Sequence, residues 1–278
     1  MSSNYEGTGL GLVKMWDDFE IGGRIYCQLC HLSAQNILND KKDAFFSHAM
    51  SVMHKLTATK YHLDNYKRIE NERYQYFQKQ FRKRDLQLAE EFGLIFEIEA
   101  FLHQIKSSLD MLVKLIDPII GAGTVGTHTF GDKGEKVIRG LEQYKLRKGS
   151  NREMADHLIS LIRDDQRTWL EYIVSIRDEF SHTTALQKFR FEPAKLSNGE
   201  VIPQKPKLKG TETLPLLETA YSNNLGFHQD FMCLSLAMAF PMFGLVPVDR
   251  SKPLGFQNCD QYIKWAWSMR NPAAPGVD

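Results

Sequence analysis

The chain has almost no excess of charge of either sign, because its 278 residues carry 35 Lys and Arg against 34 Asp and Glu. Proteins that bind nucleic acid over their whole surface are strongly basic, so this balance excludes that class and confines any contact with a polyanion to a local patch.

Cysteine is also scarce, with four in the chain. Two of them, Cys233 and Cys259, are widely separated, which makes a poor disulfide framework. Residues 1–16 lack a basic stretch followed by an apolar one, so we expect reduced thiols or a metal pair in a cytoplasmic protein.

One long uncharged run stands out at residues 231–248, which hold eighteen positions without Asp, Glu, Lys or Arg. This length is near the lower limit for a helix that spans a membrane. Pro241 and Gly244 interrupt the run and disfavour a spanning helix. We therefore predict a buried core helix that ends near Pro241, and no contact with a membrane.

Apolar residues recur at helical steps through most of the remaining chain, and this pattern predicts an all-α fold. We expect helices over about 56–91, 92–117, 136–144, 152–186 and 212–240, with Ser150 or Asn151 as the N-cap of the fourth. The predicted core positions of the second helix are Leu94, Ile98, Phe101, Ile105, Leu109, Leu112 and Ile116, and those of the fourth are Leu158, Ile162, Trp169, Ile173, Ile176 and Phe180.

A short β-hairpin is predicted inside this helical chain. Its strands are Phe189–Phe191 and Glu200–Ile202, which flank Ser197-Asn198-Gly199. Asn-Gly readily adopts the positive φ that tight hairpin turns require. The predicted organisation is therefore a small N-terminal module at 1–55, a basic connecting helix at 56–91, a helical domain with the hairpin at 92–270, and a disordered tail at 271–278.

Gly121, Gly123 and Gly126 match the G-x-G-x-x-G string of dinucleotide-binding folds, yet they follow a helix rather than a strand. Such a site needs a strand before the glycines and a helix after them. We interpret the segment as a flexible connection. The nearby His128 and Lys133 are polar enough to touch a ligand, but no sequence feature indicates one.

Four residues near the N-terminus have the spacing of a zinc site, Cys27-x2-Cys30-x17-His48-x5-His54. A two-residue gap lets both thiolates reach one ion, and two imidazoles complete a tetrahedron. With Tyr26 before the first cysteine, the segment resembles a matrin-type C2H2 finger, whose two histidines also have five residues between them. It departs from that family between the second cysteine and the first histidine, where it has seventeen residues rather than about twelve. The resemblance implies a structural Zn²⁺.

Two other interpretations of these cysteines remain. Cys27-x-x-Cys30-His31 matches the attachment string of c-type haem, but that attachment normally occurs outside the cytoplasm. The second alternative is two reduced thiols with unrelated histidines.

The predicted helix that follows is locally basic. Between residues 60 and 84 it carries eight Lys and Arg against three acidic residues, a local excess of +5. Ordinary amphipathic packing with a basic outer face explains this pattern. The functional alternative is an electrostatic contact for RNA that adds affinity without reading sequence.

The last turns of the 152–186 helix hold Arg177-Asp178-Glu179-Phe180-Ser181-His182. Arginine is always charged and its planar fork suits phosphate oxygens, while histidine can accept and return a proton near neutral pH. Asp178 and His182 share a helix face at i and i+4, so the carboxylate could orient the imidazole. The alternative is a surface ion pair beside a helix-terminal histidine.

This hexapeptide resembles the R-x4-6-H motif of the HEPN superfamily, in which the residue after arginine is commonly Asn, Asp or His. Residues 96–110 also resemble that family's second helix, whose polar groups face the motif, and the similarity covers roughly residues 90–240. The resemblance implies a HEPN-like helical bundle that forms a homodimer, with Arg177, Asp178, His182, Glu99 and His103 at the site. It also implies metal-independent endoribonuclease activity, toxin or antiviral defence roles, and an inhibitory partner protein.

The leading function is therefore cleavage of RNA by attack of the ribose 2′-hydroxyl, with no cofactor for catalysis. One alternative is a non-catalytic HEPN-like module that binds RNA or a nucleotide through Arg177 and the basic helix. Another is a helical scaffold or interaction protein in which the motif is structural. Fold-level resemblance alone does not choose between them.

Overall fold

A computed structural model describes residues 30, 37, 39–83, 90–121, 123, 125–182, 189–240, 243–247 and 265–269. These residues are mostly helical, as the sequence predicts. The α-helices are α1 (Lys42–Lys83), α2 (Phe92–Ile120), α3 (Glu135–Lys145), α4 (Arg152–Asp165), α5 (Glu171–His182) and α6 (Thr213–Ala239). Short 3-10 turns occupy Asn39–Lys41 and Asp132–Gly134. The predicted tail at 271–278 and the predicted N-terminal module up to residue 29 lie outside the described residues.

The strands of the described chain form antiparallel pairs. They are β1 (Glu192–Lys195) with β2 (Val201–Gln204), β3 (Lys207–Leu208) with β4 (Thr211–Glu212), and β5 (Phe243–Pro247) with β6 (Trp265–Met269). The hairpin around Asn198-Gly199 is confirmed, and Gly199 has the positive φ of 85° that its turn requires. The predicted first strand at Phe189–Phe191 is wrong, since the strand begins at Glu192, and Phe189 and Phe191 are buried just before it.

The chain divides into two compact units, each assembled from separate segments. Unit 1 contains residues 1–57, 106–171 and 222–278, and unit 2 contains residues 58–105 and 172–221. The predicted boundary between residues 55 and 56 falls inside α1. The reason is that Phe45, Val52 and Leu56 are buried at helical spacing, so the amphipathic pattern runs through that position.

The core of unit 1 is built around aromatic rings. Phe227 of α6 lies 5.6 Å from Phe130, 6.4 Å from Trp169 and 5.4 Å from Phe231, measured between ring centroids. The indole nitrogen of Trp169 donates a hydrogen bond of 2.6 Å to Asp165, which satisfies a polar group that burial would otherwise leave unpaired. The predicted core positions from Leu109 onwards in α2, and those of α4, are buried.

The core of unit 2 contains the first part of the predicted α2 stripe. Leu94, Ile98 and Phe101 are fully buried. The rings of Phe77 and Phe191 pack 5.1 Å apart. Phe180 is only partly buried, unlike the prediction, since it lies in the last turn of α5.

The predicted helix over 152–186 is interrupted. Asn151 caps its start, as expected, by accepting a hydrogen bond of 3.3 Å from the backbone nitrogen of Met154. A π-helical turn at Gln166–Leu170 separates α4 from α5. Such a turn adds one residue to the helical repeat, which shifts the faces of the following segment. Helix α5 ends at His182, and residues 183–186 lie outside the described residues.

Helix α6 confirms the predicted core helix, because it is buried from Asn224 to Met238 and ends at Ala239, two residues before Pro241. Strand β5 follows it and was not predicted. Across the part of the chain that the structure describes, no helix has both the length and the apolar character needed to cross a membrane.

The connection after α2 packs tightly on α3. A Cβ added to Gly140 would lie 1.8 Å from the carbonyl oxygen of Val125, so only glycine fits there. Helix α2 itself continues through Pro118 to Ile120, three residues beyond the predicted end. This contact places the segment that carries His128.

Candidate functional site

Arg177 lies in the last two turns of α5, next to the buried residues Ile173 and Ile176. Its guanidinium Nη1 donates a hydrogen bond of 2.7 Å to Oδ1 of Asp178. The arginine side chain is about one quarter exposed, and the aspartate about half. The carboxylate that the sequence predicts as an orienting group for His182 is therefore engaged by the neighbouring guanidinium.

His182 is the final residue of α5, and its side chain lies outside what the structure describes. Positions five apart on an α-helix differ by about 140° in direction. Arg177 and His182 can therefore approach one phosphate only if the chain changes direction at the helix end. The backbone places both residues within the last two turns of α5.

Glu99 and His103 are neighbours on one face of α2. The Nε2 atom of His103 lies 4.0 Å from Oε1 of Glu99, and both side chains are nearly half exposed. This distance is too long for a hydrogen bond, although it allows an electrostatic attraction when the imidazole is protonated. The predicted polarisation of His103 by Glu99 therefore requires a change of rotamer.

A further cation, Lys209, lies beside the motif and was missed from the sequence. It sits in the turn between β3 and β4 with a positive φ of 50°, and its Nζ atom is 2.7 Å from Oε1 of Glu179. Glu179 directly follows Asp178. At the end of α5, Asp178 therefore pairs with Arg177, and Glu179 pairs with Lys209, which is thirty residues later in the sequence.

The basic stretch of α1 is partly offset by acidic neighbours. Lys60 pairs with Asp64, Arg68 with Glu72, and Lys67 with Glu218, at distances between 2.6 and 3.4 Å. Arg73 pairs with Glu91, and Lys205 neutralises Glu70. Arg84 and the side chains of residues 82 and 83 lie outside the described residues. The pairs with Asp64 and Glu72 are already included in the local excess of +5. Glu91 and Glu218 come from outside that count and lower the excess, whereas Lys205 raises it.

A separate pocket of about 410 Å³ lies within unit 1. We call it the His48 pocket. It is formed by the start of α1, the end of α2 and the connection after α2. The lining residues are Asp40, Lys41, Ala44, His48, Lys114, Asp117, Pro118 and His128.

Charged and titratable groups dominate this lining. Burial, followed by the nearby Lys114 and His128, lowers the pKa of His48 below its ordinary value. Asp117 is held in place because its Oδ1 atom accepts a hydrogen bond of 3.0 Å from the backbone nitrogen of Gly123. No sequence pattern could have joined these residues, since the lining residues are up to 88 positions apart, from Asp40 to His128.

The predicted zinc ligands are only partly described. Cys27 lies outside the described residues, Cys30 is a buried thiol, and His54 is exposed. His48 and His54 are six positions apart on the uninterrupted helix α1, so they point about 120° apart. Over the described ranges no group of three or more His, Cys, Asp or Glu side chains could hold a metal ion. The zinc centre stays a prediction, and elemental analysis of the purified protein would test it.

No protein-family model matches the chain, and no curated protein or solved structure is significantly similar to it. The HEPN and zinc-finger resemblances therefore rest on the motifs themselves.

Proposed function

We propose that the protein is a metal-independent endoribonuclease whose site lies at the end of α5. The observation that carries this proposal is the position of Arg177, a partly buried guanidinium five residues before a histidine that ends the helix. A fixed cation that is shielded from solvent binds a phosphate more strongly than a fully exposed one. The resemblance to the R-x4-6-H motif supplies the reaction type.

The reaction follows from the two groups. The 2′-oxygen of a ribose bonds to phosphorus while the bond from phosphorus to the 5′-oxygen breaks. His182 accepts the proton of the 2′-hydroxyl, or in its second role returns a proton to the 5′-oxygen. Arg177 stabilises the extra negative charge on the phosphorane. The products carry a 2′,3′-cyclic phosphate and a 5′-hydroxyl, and DNA is not a substrate.

A homodimer supplies the second histidine in this proposal. One imidazole per chain acts as base or as acid, whereas the concerted reaction uses both roles. Two copies of the α5 end in one cleft provide them, as the HEPN resemblance implies. A toxin or defence role in the cytoplasm, restrained by an inhibitory partner protein, also follows from that resemblance.

The test is cleavage of a fluorescent RNA in the presence of EDTA. We expect Arg177→Ala and His182→Ala to slow cleavage by about 100-fold or more while the helical content is retained. Matched controls are Arg167→Ala, an exposed arginine that pairs with Asp164, and His157→Ala on the surface of α4. Equal rates for His182→Ala and His157→Ala, or no cleavage by the wild-type protein, would refute the proposal.

A non-catalytic RNA-binding module is the second candidate. The separation of 4.0 Å between Glu99 and His103, and the engagement of Asp178 by Arg177, favour it because neither pair forms a ready acid or base. This candidate predicts RNA binding that depends on Arg177 without any cleaved product. Gel-shift and cleavage assays on the same samples separate the two functions.

A further inference from the structure

The His48 pocket presents donors for which no described residue is an acceptor. Lys41, Lys114, His48 and His128 form no hydrogen bond or ion pair with any residue that the structure describes. By contrast, Lys106, which lies on α2 as Lys114 does, is paired with Asp110. A pocket that gathers two ammonium groups and two imidazoles without protein acceptors suits an anionic ligand.

A cation suits the same pocket less well. Two lysines line it, and their ammonium groups would repel a metal ion. The histidines and aspartates of the pocket are also not grouped as a ligand set of three or more, within the residues that the structure describes.

The ligand must also satisfy the two carboxylates of the lining. Asp117 uses one oxygen to accept from Gly123, and its other oxygen can accept from a hydroxyl group. Asp40 is exposed at the 3-10 turn before α1 and forms no ion pair with a described residue. Carboxylates would repel a bare phosphate, but they accept hydrogen bonds from the vicinal hydroxyls of a sugar.

The size of the pocket agrees with such a ligand. Sites for small molecules generally measure about 300 to 1,000 Å³. The His48 pocket, at about 410 Å³, belongs to the lower part of this range. It holds more than a single phosphate ion and less than a long oligonucleotide.

We propose that the His48 pocket binds a sugar phosphate, either free or as part of a mononucleotide. The phosphate contacts Lys114, His48 and His128, and the sugar hydroxyls contact Asp40 and Asp117. This site is distinct from the end of α5, because all its residues belong to unit 1 and Arg177 and His182 belong to unit 2. The proposal does not depend on ribonuclease activity.

Isothermal titration calorimetry on the full chain tests the proposal with four probes: ribose 5-phosphate, AMP, adenosine and inorganic phosphate. We expect ribose 5-phosphate and AMP to bind, adenosine not to bind, and inorganic phosphate to bind at least about tenfold more weakly than ribose 5-phosphate. Tighter binding of AMP than of ribose 5-phosphate identifies a nucleotide as the ligand class. Tighter binding of ribose 5-phosphate identifies a free sugar phosphate.

Variants then assign the binding to this pocket. Lys114→Met should weaken ribose 5-phosphate about tenfold or more, and His128→Gln by a smaller factor, because each removes a donor to the phosphate. Lys148→Met, at an exposed lysine of the same unit, is the matched control and should bind as the wild type does. Circular dichroism checks the fold of each variant, and Asp117→Asn gives a second readout by lowering the preference for ribose 5-phosphate over inorganic phosphate.

Several outcomes would overturn the proposal. These are no binding of either sugar phosphate, equal binding of adenosine and AMP, or equal affinities for Lys114→Met and Lys148→Met. Arg177→Ala should bind ribose 5-phosphate normally. Failure of the ribonuclease proposal would therefore leave this result unchanged.

Discussion

The ion pairs of unit 2 and the lining of the His48 pocket in unit 1 use charged side chains in different ways. In unit 2, ion pairs link separate segments: Arg73 to Glu91, Lys205 to Glu70, and Lys67 to Glu218. In unit 1, the lining of the His48 pocket keeps its lysines and histidines without partners among the described residues. A paired buried charge holds structure together, whereas a group of unpaired charges in a concave site is prepared for a ligand.

The pair between Arg73 and Glu91 gives the largest expected effect. Glu91 is 6% exposed and receives two hydrogen bonds of 2.7 Å from the guanidinium, which also lies over the rings of Tyr76 and Phe77. Arg73→Met leaves a buried carboxylate without its cation, which should lower the free energy of unfolding by about 3 kcal/mol. Urea unfolding at pH 7 measures this loss.

The control for Arg73→Met is Arg68→Met, on the same helix. Arg68 and Glu72 are both more than half exposed, so their pair should contribute about 0.5 kcal/mol or less. Similar losses for the two variants would show that the Glu91 pair has no special structural role. Partial recovery in the double variant Arg73→Met with Glu91→Met would locate the cost in the unpaired carboxylate.

His228 of unit 1 is a buried titratable group that behaves differently, since burial favours its neutral form. His228 is fully buried, and its Nδ1 atom lies 2.8 Å from the carbonyl oxygen of Asn224. Burial lowers the pKa of His228 from 6.5 to about 4, although the backbone carbonyls of Asn224 and Ser108 favour the charged form. The folded protein therefore keeps this imidazole neutral at physiological pH.

The consequence is a loss of stability in mild acid. In the unfolded chain His228 is protonated near pH 6.5, whereas in the folded chain it is protonated only near pH 4. The free energy of unfolding therefore falls as the pH is lowered through this window. From the size of the shift, we expect a loss of about 2 kcal/mol between pH 8 and pH 5. Urea unfolding of wild type and His228→Gln across this range isolates the contribution, and parallel curves for the two proteins would contradict it.

Local patterns predicted most helices well because their signals lie within one segment, although α1 begins at Lys42 rather than near residue 56. The α2 stripe from Leu94 to Ile116, the cap at Asn151 and the turn at Asn198-Gly199 each depend on neighbours fewer than thirty residues away. The missing strand β5 and the π-helical turn depend on tertiary packing, which overrides local propensity. The sequence carries no equally local signal for either.

The charges were harder to interpret because their partners lie far away in the sequence. The excess of +5 on residues 60–84 omitted Glu91 and Glu218, which pair with two of its cations, and Lys205, which pairs with one of its acids. The His48 pocket likewise combines three segments of the chain. The sequence pattern had indicated His48 as a zinc ligand instead. Residue types predict which chemistry is available, but partners distant in sequence decide which charges remain for a ligand.

The pair between Arg177 and Asp178 gives the smallest expected effect and the sharpest test of the α5 site. The Arg177 guanidinium donates a hydrogen bond of 2.7 Å to the Asp178 carboxylate. An RNA phosphate must therefore compete with that carboxylate for the guanidinium. Asp178→Asn removes that competitor, so the affinity for RNA should rise about threefold at low salt and less at high salt. Fluorescence anisotropy with 2′-fluoro RNA, which lacks the nucleophile, measures binding without cleavage.

Asp164→Asn is the matched control, because Asp164 forms a similar exposed pair with Arg167 and should leave RNA affinity unchanged. The i and i+4 spacing offers the opposite expectation for Asp178, in which the carboxylate orients the imidazole of His182. In that case Asp178→Asn would slow cleavage of ordinary RNA at least about tenfold without raising affinity. A rise in affinity with cleavage retained assigns Asp178 to Arg177, whereas slower cleavage at constant affinity assigns it to His182.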